Sequence, residues 1–151
     1  FTFAVLSLAA LDSNVSAQAK IVEPQIQRDP ILEADSKKNI EAARLYFTTK
    51  KAYKAVLMRC DEIIAANPDY SRMDEVLYLV GMSELYLSQG KGKQKIDLTK
   101  LSAEDKVKFA PERLREDAIA NLSILVEKYP NSDFAKKAQT TLKDLGETPK
   151  K

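Results

Sequence analysis

Along this chain the apolar residues recur at spacings of three and four from Ser36 onward, the period of a helix with one buried face. Ile40, Ala43, Leu45 and Phe47 predict a first amphipathic helix that stops near Thr49 to Lys51. Ala52, Val56, Cys60, Ile63 and Ile64 predict a second, ended by Asn67-Pro68 because a residue before proline is pushed out of helical backbone. Two such helices joined by a short turn make an antiparallel hairpin. The third, Arg72 to Gln89, is apolar nearly all the way round and is expected at the centre of the domain, covered on more than one side. After Gly90 the pattern dissolves into "KGKQKIDLTKLSAEDKVKFAPE", an insertion over about residues 90–111 with one short helix capped by Ser102. Pro111 then opens a fourth long helix, Glu112 to Lys128, with Leu114, Ala118, Leu122, Leu125 and Val126 inward. It ends at Tyr129-Pro130. Ser132 is a natural N-cap for a last helix that turns Phe134, Ala135, Ala138, Leu142 and Leu145 inward and stops at Gly146.

The pattern divides the chain. Residues 1–19 open with an apolar run, Phe1 to Leu11, and reach an Ala17-Gln18-Ala19 triplet that resembles the cleavage site of an export signal. The run is well short of the roughly 20 apolar residues that a membrane-spanning helix needs. Two fates stay open: removal, or retention as an anchor or docked arm in which Phe1, Phe3, Val5, Leu6, Leu8 and Leu11 make the contact. Residues 20–35 read as a linker carrying Pro24 and Pro30, although Asp29 before Pro30 also fits an N-cap and first helical position. The folded domain is placed at residues 36–146 and a frayed tail at 147–151.

Composition narrows the chemistry. With 44% hydrophobic and 30% charged residues the chain is expected to fold around a real core. Its 24 basic and 22 acidic residues leave a net charge of +2, so no global field points to nucleic acid. Histidine is absent and cysteine occurs once, which removes the commonest general base, the commonest metal ligand and any internal disulfide. Cys60 sits in an apolar series and reads as a buried core thiol. The "GKGKQK" stretch lacks the spacing of a phosphate-binding loop and reads as a solvated loop. Asp61-Glu62 and Glu116-Asp117 fall on helix surfaces, and the sequon at Asn121 has its middle residue on an inner helix face. No enzyme, cofactor or small-molecule substrate is expected.

The two proline corners align. Counting back from Pro68 gives Val56, Cys60 and Ile63; counting back from Pro130 gives Ala118, Leu122 and Leu125 at the same offsets. These offsets resemble the second helix of a tetratricopeptide repeat, a helix-turn-helix unit of about 34 residues. The corners lie farther apart than one period, and the excess falls in the lysine-rich insertion. The phrase "REDAIANLSILVEKYPNSDFAKKAQTTL" is similar to the repeats of BamD-like outer-membrane assembly lipoproteins and of periplasmic cell-division coordinators.

The resemblance implies an all-α fold in which antiparallel hairpins stack as a short α-solenoid of about two repeats plus a C-terminal helix. It also implies a non-enzymatic interaction scaffold of the bacterial cell envelope, exported to the periplasm or the periplasmic face of a membrane. Such a scaffold docks on a membrane-associated complex through a concave face made by first helices. By position those contacts are Lys38, Glu41, Leu45 and Thr48 in the first repeat, and Glu75, Tyr78, Met82, Leu85 and Tyr86 in the second. Packing of Tyr78, Met82 and Leu85 against the last helix is the competing reading. An alternative function is a structural subunit of a membrane-protein complex, held by the apolar arm with membrane contact through residues 1–11.

Overall fold

The computed structural model describes residues 27–147. The proposed arm residues Phe1 to Leu11, and most of the tail, lie outside them. The described residues form α1 (Pro30–Leu45), α2 (Tyr53–Ala66), α3 (Met73–Ser88), α4 (Ala103–Lys108), α5 (Pro111–Lys128) and α6 (Asp133–Asp144), with no strand among them.

Helix α1 begins inside the stretch read as a linker. The Asp29 carboxylate accepts hydrogen bonds from the backbone N–H of Ile31 at 2.7 Å and of Leu32, while Pro30 occupies the first turn where no donor is needed. The linker assignment is therefore corrected from Pro30 to Asp35, where the Asp29-Pro30 pair acts as the N-cap and first helical position that the sequence also allowed, while residues 20–26 lie outside the described residues. α1 buries Ser36, Ile40 and Ala43, then relaxes into a π-helical turn, Tyr46–Lys50, and reverses at Lys51, whose φ of 51° is left-handed. The wider turn lets Phe47 reach the rings of Tyr53 and Tyr86.

Both proline corners are tied to the start of the helix that opens their own repeat. At the first, the Asn67 side-chain amide donates to Ser36 Oγ and Glu33 Oε1, both at 3.1 Å, and the Ser71 N–H donates to the same Glu33 oxygen. At the second, Ser132 Oγ caps α6 by accepting from the Phe134 N–H and donates to Asp74 at the start of α3. The repetition of this tie is structural support for a two-repeat plan.

α1 pairs with α2, α2 with α3, α3 with α5, and α5 with α6; α1 and α6 also flank α3. Eleven of α3's sixteen residues are buried, which places it centrally, as its all-round apolar pattern predicts. α5 lies tight against α3 at Gly81, where an added Cβ would stand 2.7 Å from Leu122 Cγ and 3.3 Å from the Ala118 carbonyl oxygen. α6 ends in a Schellman pattern, with Gly146 at a φ of 81° and the Glu147 N–H donating to the Leu142 carbonyl.

The insertion between α3 and α5 carries the short helix expected at Ser102, and its exposed first stretch is also tied down by hydrogen bonds. Its first residues fold back on the α1–α2 turn, where the Lys93 N–H donates to the Lys51 carbonyl at 2.9 Å and Gln94 Oε1 accepts from the Ala55 N–H. Gly92, at a φ of 102°, lies against the Tyr53 ring so closely that a Cβ would overlap it. Ser102 caps α4 through the Asp105 N–H, and Phe109 is buried.

Candidate interaction surface

The predicted contacts separate by burial. On α1 and its π-turn, Lys38, Glu41, Leu45 and Thr48 are exposed. They follow one another at three or four positions, so they share one side of the helix, opposite the buried Ser36, Ile40 and Ala43. Leu45 is half exposed, an apolar side chain on an otherwise polar strip. Lys38 is engaged with Asp35 at 3.0 Å, and the Thr48 hydroxyl donates to the Arg44 carbonyl.

On α3 the expectation is corrected for three residues: Glu75, Met82 and Leu85 are buried. Glu75 is held by guanidinium groups from two helices. Arg44 reaches it from α1 through Nε and Nη2, the latter at 2.7 Å, and Arg72 reaches it from the start of α3 at 2.6 Å. A carboxylate with so little solvent keeps its charge only when cations replace the lost hydration. Hydrogen bonding to Glu75 in turn raises the Arg44 pKa above its ordinary value. Met82 packs under α6, where its sulfur accepts from the Thr141 hydroxyl at 3.7 Å, and Leu85 joins the core.

Tyr78 and Tyr86 are partly exposed, and each belongs to an aromatic group bridging α3 to a neighbour. Tyr78 packs on Phe134 of α6 with ring centroids 5.3 Å apart, and Lys137 Nζ lies over both rings, 6.0 Å from Tyr78 and 5.4 Å from Phe134. Tyr86 packs on Tyr53 at 4.9 Å and stacks on Phe47 at 5.9 Å, under the Lys91 ammonium. The face made by α1, α3 and α6 thus carries two aromatic groups topped by lysine, with the Glu75 ion cluster one turn of α3 before Tyr78. Sequence reasoning missed Phe134 and Lys137, having assigned Phe134 to the core; the three-residue spacing that stacks them on one side of α6 was the available signal.

The opposite side of α3 carries Glu84. Burial, chiefly, pushes its carboxyl up to about 7, against a hydrogen bond donated by the Asn121 amide at 2.9 Å. Cys60 is fully buried in α2, and burial pushes its thiol up to about 12. No group of three or more His, Cys, Asp or Glu among the described residues is arranged to hold a metal ion, and no described helix is long and apolar enough to cross a membrane. Stacked helix hairpins with corner ties and aromatic bridges suit contact with another protein.

Comparison with known families finds that a family model described as outer membrane lipoprotein, YfiO, matches residues 9–148. Comparison with curated proteins and with solved structures finds no match.

Proposed function

The chain belongs to the YfiO family of outer membrane lipoproteins, and from that premise we propose that it is a non-enzymatic scaffold that docks a larger envelope complex through the face of α1, α3 and α6. Membership of an outer membrane lipoprotein family puts it on the periplasmic side of the outer membrane, which supports work by contact with other envelope proteins. The observation that carries the docking face is the Tyr78–Phe134–Lys137 group, in which aromatic surface is left partly open beneath a cation. Aromatic rings give large contact area at low entropic cost, and such residues are enriched at interfaces. Leu45 and the exposed Lys38, Glu41 and Thr48 extend the surface along α1. The absence of histidine and the buried, hard-to-ionise Cys60 leave no histidine-activated serine or cysteine pair, which supports the non-enzymatic part of the reading.

The test is capture of envelope partners from solubilised outer membrane by the tagged full chain, compared with Tyr78→Ala, Lys137→Glu and Leu45→Asp variants. The reading expects each variant to lose partners while keeping its helical circular dichroism. Equal recovery of the same partners by all four proteins sinks the proposed face.

A further inference from the structure

Beside the Tyr86 group, with which they share Lys91, two hollows adjoin where the insertion leaves α3 and returns to α5. The larger, about 410 Å³, has an apolar floor of Leu87, Ile96, Leu98 and Phe109 with Lys91 and Lys95 at its rim. The smaller, about 230 Å³, lies between Leu85, Gln89, Glu112 and Arg115. Ser88 and Pro111 line both, so the two form one groove with a saddle in the middle. The groove is held open by built-in contacts, since the Lys91 N–H donates to the Tyr86 carbonyl at 2.8 Å and Lys93 is fastened to Lys51.

Its charge is one-sided. The insertion carries six lysines, at 91, 93, 95, 100, 106 and 108, against Asp97, Glu104 and Asp105. Lys100 pairs with Asp97 and Lys108 with Asp61, whereas Lys91, Lys93 and Lys95 have no carboxylate in salt-bridge range among the described residues. Arg115 adds a cation at the far end, where it donates to the Leu145 carbonyl, and Glu112 is the one carboxylate in the lining.

We propose that this groove is a second docking site, for an extended segment of a partner protein carrying a large apolar side chain flanked by carboxylates. The apolar side chain enters the larger hollow, whose volume sits at the small end of the roughly 300–1,000 Å³ typical of ligand pockets. The carboxylates meet Lys91 and Lys95 on one side and Arg115 on the other. Alternate side chains of an extended segment point the same way, which suits two hollows separated by a saddle. An acyl chain fits less well, because it needs a continuous apolar slot and here Ser88 and Gln89 interrupt the lining.

The experiment is titration of the isotope-labelled full chain with a blocked hexapeptide, a central leucine-phenylalanine pair flanked by aspartates, followed by amide NMR. Saturable shifts at Ser88, Lys91, Ile96 and Phe109 are expected, absent with a counterpart in which lysines replace the aspartates. Combined Lys91→Glu and Lys95→Glu substitution is expected to weaken binding about tenfold at low salt, and added salt to weaken it in the parent. Equal shifts with the lysine counterpart, no saturable shift at the groove, or shifts there only with phosphatidylglycerol vesicles overturn the proposal. The peptide comparison on the unsubstituted chain decides it even where the double variant does not fold. Loss of the Tyr78 face leaves this result unaffected, so the two sites fail separately.

Discussion

Ser132 donates its hydroxyl to Asp74 across 2.6 Å, joining the second proline corner to the helix that opened its repeat. The same oxygen caps α6. Ser132→Ala removes both functions: the cap is worth about 1 kcal/mol, and a hydrogen bond to a charged group about 2. A loss of about 2–3 kcal/mol is expected by urea unfolding. Asp74→Asn keeps an acceptor and is expected to cost less than half as much. Equal losses for the two would show that the corner depends on charge and not on the cap.

Gly81→Ala sets helix propensity against packing. Alanine favours a helix over glycine by about 1 kcal/mol, but its methyl would meet Leu122 Cγ at 2.7 Å, and overpacking a close-packed core typically costs about 1–3 kcal/mol. The clash is expected to win, lowering the thermal midpoint. Leu122→Ala in the same chain makes room for the methyl, so the double variant should be more stable than the two single losses sum to. Strict additivity would mean that the α3–α5 approach adjusts elsewhere.

Glu84 is expected to make stability fall with rising pH. Its carboxyl, pushed up to about 7 mainly by burial and further by Asp117 of α5 and Asp61 of α2, faces Asn121 and Lys108, which favour the charged form. In the unfolded chain it titrates near the ordinary 4.5. Between those values the folded state keeps a proton that the unfolded state has lost, so this contribution is complete below 4.5 and is lost as pH rises through 7. The difference between pH 5 and pH 8 is of order 2–3 kcal/mol. Asp97, hydrogen-bonded by Thr99, and Asp133, hydrogen-bonded by Lys136, have lowered pKa values and act only at more acid pH, outside this window. Glu84→Gln should flatten the slope and raise stability above pH 7. An unchanged slope in chemical unfolding from pH 5 to 8 would assign the dependence to other groups.

Much of the fold was legible because its determinants are local. Pro68 and Pro130 stop helices through their own rings, Ser132 and Ser102 cap through backbone N–H groups two or three residues away, and Gly146 tolerates a left-handed turn. The surface was less legible because burial is set by distant residues. Glu75 looked like a solvent-facing charge until Arg44, thirty-one residues earlier, was seen to cover it. Tyr78 and Tyr86 were named as contacts, but their ring partners Phe134, Phe47 and Tyr53 come from other elements. Nothing in the lysine-rich run signalled that Gly92 would lie on Tyr53, since such an approach has no periodicity to betray it.

The seating of Gly92 on Tyr53, with the Lys93–Lys51 hydrogen bond beside it, changes how the molecule comes apart. In an ordinary helical solenoid each repeat touches only the next, and the array frays from its ends like a zipper. Here a segment inside the second repeat, between α3 and α5, reaches back and latches onto the turn of the first. Peeling away α1 and α2 must also release that latch and with it the insertion between α3 and α5. The two repeats are therefore joined twice, by their stacked faces and by this clasp, and amide hydrogen exchange is expected to show the first hairpin opening with the second instead of ahead of it.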